Sequence, residues 1–193
     1  MEEYRINSEQ LWNILENWDK YLPQKVHLVA CGGTALTIQG IKTSTKDVDF
    51  IIPIEDEHGT VVRTLQKLGY KQATGTGWSR GDGFIFDLFR GNRVYVTELL
   101  ESTLAENNHV FIRSFKKIYV GALNDYDLVI TKMFRGTSVD IEDCLKLMEF
   151  RGESFDLKKL RDKYAEQAKY DVNPERMMQN LEGLLLRLKR KQL

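Results

Sequence analysis

Residues 28–50 read LVACGGTALTIQGIKTSTKDVDF. A hydrophobic run meets two glycines, a short amphipathic stretch follows, and two aspartates one residue apart open a second hydrophobic run. The first run, residues 25–30, predicts a buried strand; Gly32-Gly33 opens a short helix through Ile38 that Gly40 closes. Residues 48–54, VDFIIPI, predict the second strand. A strand that enters a helix through glycines lets a phosphate approach the backbone and meet the amides of the helix N-terminus. The same glycine pair also serves as a simple tight turn.

Asp47 and Asp49, two residues apart on a strand, project to one face. Like charges so placed repel, and strand interiors disfavour aspartate. The pair is tolerable at a solvated strand end, or where a divalent cation bridges it. Asp87 is a lone carboxylate in the apolar run FIFDLF, residues 84–89. Left buried and unpaired it would cost several kcal/mol, so it needs a metal, a raised pKa, or an arginine such as Arg90 or Arg93. Three carboxylates on neighbouring strands facing a glycine-opened helix suit a magnesium-bound nucleoside triphosphate. A carboxylate at the attacking hydroxyl could also take its proton.

Outward from this stretch, residues 8–22 carry Leu11, Ile14, Leu15, Trp18 and Leu22 at helical spacing, with Ser8 as cap and Pro23 as terminator. Residues 58–68 predict a helix, and residues 93–97, 109–112 and 117–120 further strands. From Leu123 onward the pattern is helical, over 126–135, 139–150, 157–169 and 174–190. The fold class this implies is α/β (α+β), a mixed β-sheet core flanked by helices with a C-terminal helical bundle. The division expected is a sheet part with an N-terminal helix over 1–122 and a helical region over 123–193, packed as one unit.

Composition narrows the class. Lysine plus arginine and aspartate plus glutamate number 28 each, so overall charge carries no nucleic-acid signal. Two cysteines, Cys31 and Cys144, without C-x-x-C spacing suggest neither a disulfide framework nor a zinc cluster. The acidic, polar start does not read as a signal peptide, and the apolar runs fall short of a membrane span. A cytoplasmic protein without membrane association is expected. The basic end at Arg187, Lys189, Arg190 and Lys191 fits either cations matched to a helix C-terminus or a contact to nucleic-acid phosphates.

The glycine–aspartate stretch resembles the signature of the nucleotidyltransferase fold of the DNA polymerase beta superfamily. It reads Cys31-Gly32-Gly33, thirteen residues from Thr34 to Lys46, then Asp47-Val48-Asp49-Phe50, with Asp87 as the later strand carboxylate. The resemblance implies that Gly32, Gly33 and Thr34 hold triphosphate, while Asp47, Asp49 and Asp87 bind Mg²⁺ or Mn²⁺ and carry catalysis. GGTAL followed by TKDVDF is similar to nucleotidyltransferases related to abortive-infection toxins of toxin–antitoxin systems. In the corresponding later region, DLVITKMFRGTSVDIEDCLKL over 127–147, the likeness implies Lys132 on triphosphate with Arg135, Asp140 and Asp143 lining or bracing the site. Asp140 can equally serve in the first turn of a helix capped by Ser138.

The expected activity is transfer of a nucleoside monophosphate from NTP to a hydroxyl of RNA, protein or a small molecule, with an antitoxin protein as a possible partner. The alternative is a non-catalytic relative that binds nucleotide, RNA or a partner protein. The stretch TGTGWSRGDG, residues 74–83, could be a loop over the site with Trp78 on a base and Arg80 on phosphate, or a plain hairpin connection. His27, His58 and His109 are scattered without ligand spacing.

Overall fold

In the computed structural model residues 4–81 and 83–191 are described; the acidic start at 1–3, Asp82 of the glycine-rich stretch and residues 192–193 lie outside the described residues. The chain runs α1 (Ser8–Tyr21), β1 (Val26–Ala30), α2 (Gly32–Ile38), β2 (Val48–Ile52), α3 (Glu55–Lys67), β3 (Lys71–Gln72), β4 (Gly77–Ser79) and β5 (Phe86–Arg90). It continues through β6 (Arg93–Val94), β7 (Thr97–Glu98), β8 (His109–Ser114) and β9 (Ile118–Leu123). The helices α4 (Asp125–Arg135), α5 (Ser138–Arg151), α6 (Leu157–Ala168) and α7 (Pro174–Lys191) complete it. Seven strands form one mixed sheet in the order β3-β4-β5-β2-β1-β9-β8, and β6 and β7 form a separate hairpin. Among the described residues no helix is long and apolar enough to cross a membrane.

The central strand β2 is buried along its whole length, Asp49 included, as in a strand covered on both faces. Trp18 of α1 packs on Phe86 at 5.0 Å and edge-on to Tyr70 at 5.8 Å, which seats α1 against the sheet. Across the other part of the core, α4 and α5 pack on α2, and α6 and α7 pack on α4. The helical region thus abuts the short helix that follows the first strand. Cys31 and Cys144 are both buried and unbonded.

Several local expectations shift. The cap of α1 is Asn7, not Ser8: its side chain accepts from the Gln10 amide, and Gln10 reaches back to the Asn7 N–H, a reciprocal box. Thr137, not Ser138, likewise caps α5. Helix α3 begins at Glu55, ahead of its apolar face, because Glu55, Asp56 and Glu57 suit the positive end of a helix. Within residues 74–83 lies β4, paired antiparallel to β5, with Trp78 buried in the core and Arg80 over the Tyr70 ring. The hairpin reading of that stretch holds, and Trp78 is not available to stack on a base. At the chain's basic end Lys191 pairs with Glu149 at 2.7 Å.

One buried carboxylate ties the N-terminal helix to the sheet. Oδ1 of Asp19 accepts from the backbone N–H groups of Lys117 at 2.6 Å and Ile118 at 2.9 Å, where β9 begins. Truncating it strands two backbone donors. Asp19→Ala should lower unfolding stability by about 2–4 kcal/mol, the scale of two charge-assisted bonds. Urea denaturation checks this; a loss under about 1 kcal/mol would show that water replaces the carboxylate.

Candidate active site

The glycines and aspartates meet because β1 and β2 are antiparallel, with Ala30 opposite Phe50. The chain leaves β1 beside the entry to β2, and the Cys31 N–H donates to the Asp49 carbonyl at 3.1 Å. Helix α2 starts at this point. A Cβ at residue 32 would lie 2.5 Å from Asp49 Oδ2, and one at residue 33 would lie 2.6 Å from Thr45 Oγ1. Gly32 also takes φ +56°, a left-handed conformation that favours glycine. Close approach, not a simple turn, therefore accounts for both glycines.

Strands β2 and β5 run parallel with Asp49 opposite Asp87, so the two carboxylates sit side by side on one face. Asp47 lies one residue before β2 and is exposed, whereas Asp49 is buried. Of the two settings open to the pair, Asp47 takes the strand entrance, in reach of solvent, while Asp49 lies inside the strand. Thr34 is buried; its hydroxyl donates to the Asp47 carbonyl at 3.3 Å and accepts from the Asp49 N–H at 2.8 Å. The Thr45 hydroxyl also donates to the Asp47 carbonyl, at 3.0 Å. Both threonines hold the aspartate turn through their hydroxyls.

Asp87 is half-buried, and its Oδ1 accepts from the Thr76 hydroxyl at 2.7 Å. Neither nearby arginine neutralises it. Arg90 pairs with Glu55 at 2.9 Å, and Arg93 Nε donates to the Tyr95 carbonyl at 3.3 Å. Oδ1 of Asp49 accepts from the Tyr95 hydroxyl at 2.6 Å. Burial pushes the Asp49 carboxyl up to about 6; the Tyr95 hydrogen bond works against this, and the charges of Asp87 and Asp47 add to it. Asp47 is also raised, by partial burial first and Asp87 second.

Among the described residues no group of three His, Cys, Asp or Glu side chains is arranged to hold a metal ion. The three aspartates are neighbours, not an assembled ligand set. Their chemistry nonetheless fits a hard cation: oxygen donors of one sign, mutually repelling, with the central one destabilised as an anion. The histidines take no part. His27 faces Glu57, His58 the Leu88 carbonyl, and His109 the Tyr119 hydroxyl.

Facing the aspartates is a charge cluster from α4 and α5. Lys132 is buried and pairs with Asp143 at 2.8 Å and Asp140 at 3.6 Å. Lys42 reaches the other oxygen of Asp143 at 2.7 Å. Arg135 clasps Asp140 through Nε at 2.8 Å and a terminal nitrogen at 2.5 Å. Burial alone would raise Asp140 and Asp143. Hydrogen bonds from Arg135 and Thr137 outweigh it at Asp140, and the charge and hydrogen bond of Lys132 do so at Asp143, so both lie below the usual carboxylate range. Asp140 joins both alternatives set out for it, since it completes the Thr137 capping box and braces Arg135.

Gly33, Asp47, Asp49, Lys132, Arg135 and Asp143 line one cleft. Arg5, Lys42, Lys46 and Tyr95 line it too, none of them singled out from the sequence. Lys42 and Lys46 lie in the spacer of the glycine–aspartate motif, where a basic bias was readable. Arg5 is brought in by a bridge between Ile6 and Thr45, with its guanidinium bonded to Ser44, which no local pattern announces.

A family profile matches residues 9–192, nearly the whole chain, sheet and helices alike. The chain belongs to the nucleotidyltransferases of unknown function, DUF6036. No curated protein matches it by sequence. Among solved structures it is similar to ANT(2")-Ia in complex with adenylyl-2"-tobramycin, with TM-score 0.57 and 14% identity over 84% of this chain and 98% of that one. The solution structure of the antibiotic-resistance factor ANT(2")-Ia gives TM-score 0.56 and 13% identity over 83% and 92%. A nucleotidyltransferase-like protein of Thermotoga maritima aligns at TM-score 0.46 and 16% identity over 78% and 100%. At these identities the likeness to ANT(2")-Ia is one of fold.

The raised Asp49 carboxyl gives a signed pH dependence. A carboxyl whose folded pKa lies above its unfolded value of 3.8 favours folding below that value, and the benefit is lost as pH rises towards about 6. Without divalent cations, Asp49→Asn should therefore raise stability at pH 8 by about 1–3 kcal/mol, with the gain fading towards pH 4. Mg²⁺ should raise the melting temperature of the wild type and not of the variant. Thermal melts across pH with and without Mg²⁺ check both; a pH-independent gain would exclude the Asp49 charge as its source.

Proposed function

We propose that this nucleotidyltransferase uses Mg²⁺ or Mn²⁺ to transfer a nucleoside monophosphate from NTP to a hydroxyl-bearing acceptor, releasing pyrophosphate. The observation that carries the reading is the in-register pair Asp49 and Asp87, with Asp47 at the strand entrance, beside a glycine-opened helix and a cation-lined cleft. Asp47 and Asp49 would hold the divalent ion, with Asp87 completing the set. A bound divalent ion would neutralise phosphate charge and hold oxygens in line for displacement.

The protein's own groups do the rest. Gly32 and Gly33 bring backbone amides close to the triphosphate, and Lys132 with its neighbours supplies positive charge. Asp87, oriented by Thr76, accepts the proton of the acceptor hydroxyl. The acceptor oxygen bonds to the α-phosphorus as the bond from that phosphorus to the bridging oxygen breaks, and the electron pair leaves with pyrophosphate. Two acceptor classes are open to this reading: RNA or protein, and a small hydroxylated molecule of the kind whose adenylylated product is held by ANT(2")-Ia.

The non-catalytic alternative has one observation in its favour, since Asp49 and Lys132 already have partners within the protein. Transfer from α-labelled NTP to an acceptor panel of RNA, protein and amino sugars, with Mg²⁺, separates the two. Asp47→Ala and Asp49→Ala should each lower transfer at least about 100-fold. Metal-dependent nucleotide binding that survives both substitutions would overturn the proposal.

A further inference from the structure

Tyr95 joins the aspartates to the helices. Its hydroxyl donates to Asp49 Oδ1 at 2.6 Å. Its ring meets Phe89 at 4.7 Å in a T-shaped contact, and the Arg135 guanidinium lies 4.4 Å over the ring. Arg135 is fixed in turn by the fully buried Asp140, whose carboxylate also accepts from the Thr137 hydroxyl at 2.7 Å. The chain of contacts runs from the start of α5 to the middle of the candidate metal site without a gap.

The backbone at Tyr95 is unusual. Val94 pairs with Thr97, so Tyr95 and Val96 form a two-residue hairpin loop. Tyr95 takes φ +53° at the first loop position, where such hairpins favour glycine. The local backbone thus disfavours a tyrosine, and the side-chain contacts with Asp49, Phe89 and Arg135 offset that cost. Terminal carboxylate torsions are broad and need an external partner to be fixed. With Oδ1 held by the phenol, Oδ2 stays beside Gly32, on the side where α2 begins.

We infer that Tyr95 is a positioning residue: held by Arg135 and Phe89, it sets the plane of the Asp49 carboxylate so that this group can ligate a divalent cation together with Asp47. The inference rests on the proposed nucleotidyl transfer and adds that the helical region acts on the cation through the β6–β7 hairpin. Groups that orient a metal ligand are commonly worth 10–100-fold in affinity.

Calorimetric titration of Mn²⁺ into the full chain, with a non-hydrolysable NTP analogue present, reads the effect without any acceptor. Tyr95→Phe keeps the ring, the Phe89 contact and the cation stacking, and removes only the hydroxyl. Its Mn²⁺ affinity should fall by about 10-fold or more. Metal-free nucleotide affinity should stay within about 2-fold, and Asp49→Ala should abolish Mn²⁺ binding. If Asp49→Ala abolishes binding and Tyr95→Phe matches the wild type, the positioning role is overturned and nucleotidyl transfer stands. If the wild type binds no Mn²⁺, both fall. Melting curves taken alongside guard against misfolding; should Tyr95→Phe melt markedly lower, Phe89→Leu, which loosens the ring and keeps the hydroxyl, must weaken Mn²⁺ in the same direction for the inference to survive.

Discussion

The contact between residue 32 and Asp49 is the constraint on which the rest of the site depends. A side chain at position 32 would meet Asp49 Oδ2 at 2.5 Å, inside any tolerable contact, and would also have to adopt a left-handed backbone. With glycine there, α2 can begin directly where β1 ends, and the buried aspartate of the antiparallel neighbour can lie against its first turn. The thirteen-residue spacer then forms α2 and returns to β2, and Thr34 and Thr45 lock its end by holding the carbonyl of Asp47. Asp87 needs only the parallel pairing of β5 with β2 to arrive beside Asp49.

Charge is distributed unevenly around this contact. Asp140 and Asp143 are as buried as Asp49, yet each is matched by cations: Arg135 and Lys132 for the first, Lys132 and Lys42 for the second. At 4 Å and an effective dielectric of about 20, one such pair is worth about 4 kcal/mol of Coulomb attraction. That is enough to hold these carboxyls low despite burial. Asp49 has a neutral phenol where the others have cations, and two like charges nearby. Among these three buried aspartates, paired cations hold Asp140 and Asp143 low, while burial raises Asp49.

The sequence made the order of sheet and helices readable, because apolar runs of strand length and helical spacing are local signals. Residues 31–50 also carried the local part of the site, since glycine, threonine and aspartate there are joined by short loops. The hairpin at Tyr95 was not legible. Residues 93–97 alternate like an ordinary strand, and nothing in VYV marks a tyrosine at a glycine position. The Thr76 partner of Asp87 was hidden for a related reason. Register and strand entry are decided by pairing with chain segments far away, and single-strand patterns do not contain them.

The helices after β9 supply one wall of the cleft. Lys132, Arg135, Asp140 and Asp143 all come from α4 and α5, and they form the wall of the cleft opposite the aspartates or brace it. Gly136, in a left-handed conformation, ends α4 and lets α5 fold back so that Asp140 and Asp143 face Lys132. The family match spans both the sheet and these helices. Arg5 lies ahead of that match, yet reaches the cleft through the Ile6–Thr45 bridge. The shared part of the chain therefore builds the carboxylates, the glycines and the far wall, while one cation at the rim comes from a segment outside it.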